Sequence, residues 1–308
     1  MSAGAVVVAG VLDAVLREPP TSLHPVRAIG RYLDAASVAV PVRPPRRALL
    51  SGGAAWLLGA AAAVTAGAAV ERVARDLPSG HQAVVVGVAL WPLLSGQMLL
   101  DEVGAVERAL AVDLESGRAA VARIVSRDVS GLSETQVRQA GLESLAENLS
   151  DSVVAPLLWF ALGGLPAALV YRFANTADAM WGYRTARWRH AGAVAARADD
   201  LVNLAPARLT GVGLTLGAPA AGGRARWAGL RRNAHRTPSP NAGWPMAALA
   251  LRLGIRLEKP GAYTLHPAGR PPESADTAAA LRLVRQRIWT AVAAAAVVAG
   301  LRRRWGSR

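Results

Sequence analysis

Residues 48–70 read ALLSGGAAWLLGAAAAVTAGAAV, without one charged side chain. As a helix the stretch rises about 34 Å, enough to cross the hydrocarbon core of a bilayer. Residues 77–100 also lack Asp, Glu, Lys and Arg, and the joint between the two, Glu71–Asp76, is short and charged. They read as a hairpin of two spans. RPPRR at 43–47 precedes the first span, so the excess of arginine places that end, and the return near Asp101, in the cytoplasm.

The rest of the chain agrees with a membrane setting. Of its 308 residues 52% are hydrophobic and only 18% charged, against about 25% charged in soluble domains. Mean hydropathy is +0.26. There is no cysteine, which excludes a disulfide, an iron–sulfur cluster, a thiolate nucleophile and Cys-ligated zinc. The net charge is +14, carried by arginine apart from the single lysine, Lys259. Acids concentrate in residues 101–151 and arginines in 224–308. No nucleic-acid partner is expected, because no helix-turn-helix, RRM or finger pattern accompanies the basic residues. Arginines that flank apolar spans follow the charge rule for membrane topology.

Further apolar stretches are interrupted. Residues 152–171 (SVVAPLLWFALGGLPAALVY) are long enough to span, but Gly163-Gly164-Leu165-Pro166 sits in the middle and predicts two short helices. A single crossing would leave the Arg-rich segment 172–208 outside, against the charge rule, so a re-entrant or interfacial hairpin is expected. Residues 201–223 are broken by Asn203, Pro206 and Arg208. Residues 288–301 read as a short or membrane-lying helix. Residues 3–16, apolar except for Asp13, lack the charged start of a cleavable signal and read as a retained helix. The expectation is one all-α, multi-pass integral membrane domain over 1–308 with amphipathic cytoplasmic helices.

The polar segments hold the candidate chemistry. In 101–151, Val103, Val106, Leu110 and Leu114 recur at helical spacing, which predicts two or three amphipathic helices broken at Ser130-Gly131. Ser133 and Gln136 form a capping box for the last of them. That helix carries Glu143, Glu147 and Asp151 at i, i+4, i+8, with Asn148 beside them. Like charges at this spacing repel, so the stripe faces either a cation, Mg²⁺ or a substrate amine, or pairing arginines. In 171–208, Asn175 and Asp178 share one face, as do Asp199 and Asn203, with Asp200 adjacent. Polar groups at a membrane boundary are functional candidates, or they pair with Arg184, Arg187 or Arg197. The loop RTPSPNAGWPM (236–246) is rigid and offers Ser239 and Asn241, with Arg231 and Arg232 nearby, either to a phosphate or to an ordinary turn. His24 lies in a second rigid loop, where histidine is more often a structural hydrogen-bonder than a catalyst. There is no Walker A loop, no H-E-x-x-H and no G-x-S-x-G.

Six blocks in these segments occur in order. They are HPVRAIG (24–30), SRDVSGL (126–132), ESLAENLSDSVVAPLLW (143–159), NTADAMWGYR (175–184), ARADDLVNLAPARL (196–209) and SPNAGWPMAALA (239–250). Together they resemble the CobD/CbiB family of cobalamin biosynthesis, the adenosylcobinamide-phosphate synthases. The resemblance implies a multi-pass protein of the cell membrane with its active site facing the cytoplasm. It implies an ATP-dependent, Mg²⁺-assisted amide ligase joining adenosylcobyric acid to 1-aminopropan-2-ol or its phosphate. Expected partners are these substrates, the lipid bilayer and other membrane-bound enzymes of the corrin pathway.

Carried onto the matched blocks, the resemblance makes Glu147, Asp151, Asp199 and Asp200 the expected catalytic residues, and Glu143, Glu147, Asp151 and Asp200 the metal ligands. Substrate would meet His24, Arg27, Arg127, Asp128, Asn148, Asn175, Asp178, Arg184, Asn203, Arg208, Ser239 and Asn241. The chain departs from the family pattern at Asn233, where an acid is usual, and near Thr237, where a histidine often stands. If the acid bound a metal or oriented an amine, Asn233 would weaken that role. The alternative reading is a non-catalytic membrane scaffold or sensor, or a transporter. A transporter would show more clean spans and an inverted repeat.

Overall fold

The computed structural model describes residues 3–20, 22, 24–217 and 223–306. Its helices are, in order, α1 (Ala3–Leu16), α2 (Pro25–Ala39), α3 (Pro45–Arg75), α4 (Ser79–Leu90), α5 (Gly96–Leu110), α6 (Leu114–Val121), α7 (Glu134–Leu149), α8 (Ala155–Trp181), α9 (Ala193–Val202), α10 (Leu204–Thr215), α11 (Gly223–Ala234), α12 (Gly243–Leu253) and α13 (Ser274–Gly306). Between α12 and α13 lies an antiparallel hairpin, β1 (Leu257–Lys259) and β2 (Tyr263–Leu265), which pairs Lys259 with Tyr263. Three stretches, Pro45–Arg75, Ser79–Leu110 and Glu134–Trp181, are long and apolar enough to cross a membrane. The architecture is all-α apart from the small hairpin and suits a membrane-associated chain.

The chain gathers into two compact units that alternate along the sequence. The first holds the residues up to Ser95, Ala155–Asn203 and the end of α13 from Ala291. Its apolar centre is Leu33, Phe173, Ala177 and Trp181, with Tyr32 and Trp56 tilted against Phe173. The second holds Gly96–Val154 and Leu204–Thr290. There α5, α6 and α7 close over Val106, Val121, Val137 and Ala140. Arg138, only 8% exposed, grips Glu107 through Nε and a terminal nitrogen at 2.9–3.2 Å, and Thr277 donates to the same carboxylate.

Local signals explain where the helices begin and end. Pro45 opens α3 at a position where its missing N–H costs nothing. Ser133 and Gln136 form the full capping box of α7, as its sequence predicts. The polar segment forms three helices, with Ser130 and Gly131 in the loop before α7. Residues 3–16 form α1, and residues 288–301 belong to the long α13 rather than to a short separate helix.

Two of the apolar readings need revision. The charged joint Glu71–Asp76 is mostly helical, because α3 continues through Arg75 before the chain turns ahead of Pro78. The stretch 77–100 is not one helix. It stops at Leu90, makes a tight turn over Trp91–Leu93 around Pro92 and restarts at Gly96. Proline has no N–H to continue an α-helical ladder.

The break expected at 163–166 is present. Gly164 has φ 75° and ψ −164°, a conformation open essentially to glycine alone. The amide of Leu165, freed by the break, donates to the Glu71 carboxylate at 2.8 Å, and Pro166 follows in the new first turn. Both pieces anchor on the end of α9. Trp159 Nε1 donates to the Val202 carbonyl at 3.1 Å, and the Tyr171 hydroxyl donates to Asn203 Oδ1 at 3.0 Å. Residues 159 and 171 would stand about 18 Å apart on a straight helix. The break also lets α3 approach closely, for a Cβ on Gly67 would fall 2.6 Å from the backbone of Pro166.

Candidate active site

Each unit carries one polar cluster built from the sequence blocks above. In the first unit, the last turns of α8 present Asn175 and Asp178, and the end of α9 presents Asp199, Asp200 and Asn203. Spacing predicts each pair on its own helix; the fold brings the two pairs together. Asp199 Oδ1 accepts from Asn203 Nδ2 at 2.9 Å and from Asn175 Nδ2 at 3.3 Å. Asn203 is 2% exposed, and its own oxygen is held by Tyr171. Burial and then the charge of Asp178 push the Asp199 carboxyl up to about 7, against the two amide hydrogen bonds that favour its ionised form. Asp200 and Asp178 are close enough to repel each other. Tyr171 was not anticipated from sequence. An aromatic in an apolar run signals packing, and only the fold aims its hydroxyl at Asn203.

In the second unit, α7 buries most of its length. Glu143 is only 5% exposed, and its Oε2 accepts from Arg127 at 3.0 Å. Of the two partners open to it from sequence, the stripe's first acid therefore has an arginine. The loop bearing Arg127 is shaped by an Asx turn, in which Asp128 Oδ1 accepts from Ser130 N at 2.9 Å. That bond holds the exposed Asp128 carboxyl below its ordinary value. Tyr263 and Lys259 act on Glu143 from the β-hairpin, and Tyr263 also feels Glu147. Burial and these two carboxylates raise the Tyr263 phenol. Asn148 turns back on its own helix, donating to the Ser144 carbonyl at 3.0 Å. After α7 the helix widens into a π-helical stretch, Ser150–Val154, which contains Asp151. Such stretches recur at functional sites.

The proline-rich loop lies in the same unit. Arg208 donates to Asn241 Oδ1 at 3.1 Å and to the Leu204 carbonyl at 2.8 Å, and stacks 4.9 Å over the Trp244 ring. Ser239 Oγ accepts from the amides of Asn241 and Ala242 at 3.2 and 3.1 Å, so it caps the turn leading into α12. Arg231 and Arg232 are exposed. Asn233 Oδ1 accepts from the amide of His266 at 2.8 Å, and its Nδ2 donates to the Gly229 carbonyl. The acid usual at this position could accept the same N–H. Asn233 therefore keeps a structural bond, whatever else an acid there would do.

Other anticipated residues have local contacts or face solvent. His24 is the N-cap of α2, its Nδ1 accepting from Val26 N at 3.2 Å, with Nε2 3.7 Å from Glu18. Burial lowers its pKa more than Glu18 raises it. Arg27 and Arg184 are exposed. Among the described residues, no three His, Asp or Glu side chains stand close enough to hold a metal ion together.

Comparison with known proteins matches residues 6–291 to the family model described as CobD/Cbib protein. The chain belongs to that family. It is 42% identical over 277 residues to the cobalamin biosynthesis protein CobD of Geobacter metallireducens, covering 87% of this chain and 86% of that one. The CobD of Rhodobacter capsulatus is 44% identical over 236 residues, 73% of each chain. The probable CobD of Methanothermobacter thermautotrophicus is 34% identical over 295 residues, 94% of this chain and 95% of the other. No solved structure matches. In terms of this family, the six ordered blocks map onto the two clusters, the α2 cap and the proline-rich loop.

Proposed function

We propose that this CobD-family protein works in cobalamin biosynthesis as a membrane-bound ligase. It joins the free propionate carboxylate of adenosylcobyric acid to the amine of 1-aminopropan-2-ol phosphate at the expense of ATP. It does so as a multi-pass protein whose polar clusters face the cytoplasm, with the Gly164 break forming a re-entrant hairpin. Other membrane-bound corrin enzymes are its expected neighbours.

The observation that carries the reading is the Asp199 cluster. Asp199 stands with Asp178 and Asp200 at the ends of α8 and α9, held by the amides of Asn175 and Asn203, and burial and the charge of Asp178 push its carboxyl up to about 7. Such a set gains from a cation that arrives with its own phosphates. The donors are all hard oxygens. Mg²⁺ characteristically takes one or two carboxylates and fills its remaining positions with water and phosphate oxygens, a demand that Asp178 and Asp200 fit. When bound, the ion would neutralise charge on the nucleotide. Asn175 and Asn203 fix Asp199, so the cluster is ordered before any ligand arrives.

The reaction needs two displacements. A carboxylate oxygen of the corrinoid attacks the terminal phosphorus of ATP, the bond to ADP breaks, and an acyl phosphate results. The neutral amine then attacks the acyl carbon, phosphate leaves, and one proton departs from nitrogen. A carboxylate beside the amine accepts that proton.

The test uses detergent-purified protein with adenosylcobyric acid, aminopropanol phosphate, ATP and Mg²⁺. Mass spectrometry should find the corrinoid amide, with matched ADP and phosphate, only when all four are present. No amide under these conditions, with corrinoid binding retained, would overturn the ligase and favour a scaffold.

A further inference from the structure

The charge rule counts the arginines that precede α3 along the chain; the fold adds a second set beside them. Arg43, Arg46 and Arg47 stand at the start of α3, and Arg184 and Arg189 stand in the loop between α8 and α9. That loop is stapled to the same end of α3. Arg187 donates to the carbonyls of Ser37 and Val40, where α2 ends. Ala191 packs with Val40 and Ala48, and a Cβ on Gly52 would fall 2.0 Å from the Ala191 carbonyl oxygen. The other five arginines are all exposed. Among the described residues, none of the five is in an ion pair. Neither segment has an acid of its own to offer: none occurs between Ala35 and Val70, or between Ala179 and Ala198.

The surroundings of these arginines point to their counter-ion. Leu49 and Leu50, in the first turns of α3, are exposed at 42% and 72%, and Tyr183, beside Arg184, at 51%. Only 11% of the most apolar stretch of α3 is buried, so most of that helix is left for lipid to cover. Guanidinium groups, an aromatic ring and then leucines along an apolar helix follow the order of a bilayer, from phosphate through the interface to the acyl chains. A soluble phosphate would use the arginines and leave Leu49 and Leu50 in water. We infer that Arg43, Arg46, Arg47, Arg184 and Arg189 form a docking surface for the headgroup phosphates of anionic phospholipid. The planar fork of a guanidinium matches phosphate oxygens two at a time. Arg46 and Arg47 reach the phosphates from α3, Arg189 reaches them from the α8–α9 loop, and Leu49 and Leu50 meet the first methylenes of the chains. The surface requires only the membrane-crossing character of α3 and is independent of the ligase chemistry.

The experiment measures binding of phosphatidylglycerol and of phosphatidylcholine, in mixed micelles, to the full-length protein in detergent by microscale thermophoresis. The ratio of the two apparent Kd values is the readout. Wild-type protein should favour phosphatidylglycerol at least about tenfold at low salt, and the preference should collapse at about 0.5 M salt, where exposed charges are screened. Arg46→Gln with Arg47→Gln, and Arg189→Gln in a separate variant, should each lower it, by about fivefold for every arginine removed. Arg282→Gln with Arg285→Gln removes two exposed arginines of α13 and should leave it unchanged. A wild type without preference overturns the inference. So does an equal fall in the α13 variant, which would make net charge the cause. Loss from the α3 pair with none from Arg189→Gln would reduce the patch to the ordinary flank of a span and overturn the shared surface. Displacement of phosphatidylglycerol by inorganic phosphate would assign the arginines to a soluble anion and overturn the lipid.

Discussion

Asp199→Asn isolates the cost of holding an acid in the first cluster. The substitution is close to isosteric, and the new amide oxygen can still accept from Asn203 and Asn175. In the folded protein the Asp199 carboxyl titrates at about 7, against its ordinary 3.8. An acid whose folded pKa is raised binds more protons folded than unfolded across that interval. Stability contributed by this group is therefore lost as pH rises from about 4 to about 7. About three pH units at 1.36 kcal/mol each bound the loss at ~4 kcal/mol, fully expressed above pH 7. The substituted amide does not ionise, so the variant should escape the loss. Its melting temperature in detergent should match the wild type near pH 4.5 and exceed it by several degrees at pH 8. Ligase activity should fall, since the variant removes one of the three acids of the cluster to which the metal–nucleotide ligand is assigned. A variant less stable than the wild type at pH 8, or a difference independent of pH, would refute the account of Asp199 as a strained, uncompensated acid.

Other parts of the structure make their own predictions. Glu107→Leu alone should cost about 3–5 kcal/mol by leaving Arg138 buried without its main partner, while the double variant with Arg138→Met should recover most of it; chemical denaturation of the four-member cycle measures the coupling. Asn233→Asp should change stability by less than ~1 kcal/mol because the His266 amide keeps an acceptor, whereas Asn233→Ala should cost about 1–3 kcal/mol; thermal melts of the two variants decide between a structural and a chemical role for this position. Gly67→Ala should cost about 1–3 kcal/mol, because its Cβ has no room against Pro166; a melt indistinguishable from wild type would show that α3 and the broken α8 do not approach so closely.

Much of the fold was legible because its signals are local. An uncharged run, a Ser–x–x–Gln cap and a Gly-Gly-Leu-Pro break each depend on a few neighbouring residues. The capping box at Ser133 and the break at Gly164 stand where the sequence predicts them. The failures come where tertiary partners decide. Glu71 looks like part of a turn because it is charged beside an apolar run. It is helical, and its carboxylate accepts from the Leu165 amide, 94 residues on. Pro92 sits in an uncharged stretch whose hydropathy hides the turn. A span counted by charge alone passes through a residue that cannot continue a helix.

The candidate site divides along the same line. Helical spacing pairs Asp199 with Asn203 and Asn175 with Asp178, and the structure keeps both pairings. Spacing says nothing of which helices meet, and so it misses that the two pairs form one cluster with Asp199 at its centre. Composition marks Lys259 as unusual but gives it no neighbour; the strand register supplies Tyr263, and the packing supplies Glu143. Family motifs err in the other direction. A polar residue in a matched block invites a chemical role, yet His24 Nδ1 caps α2, Ser239 Oγ holds the turn before α12 and Asp128 forms a turn. In this chain they set local geometry.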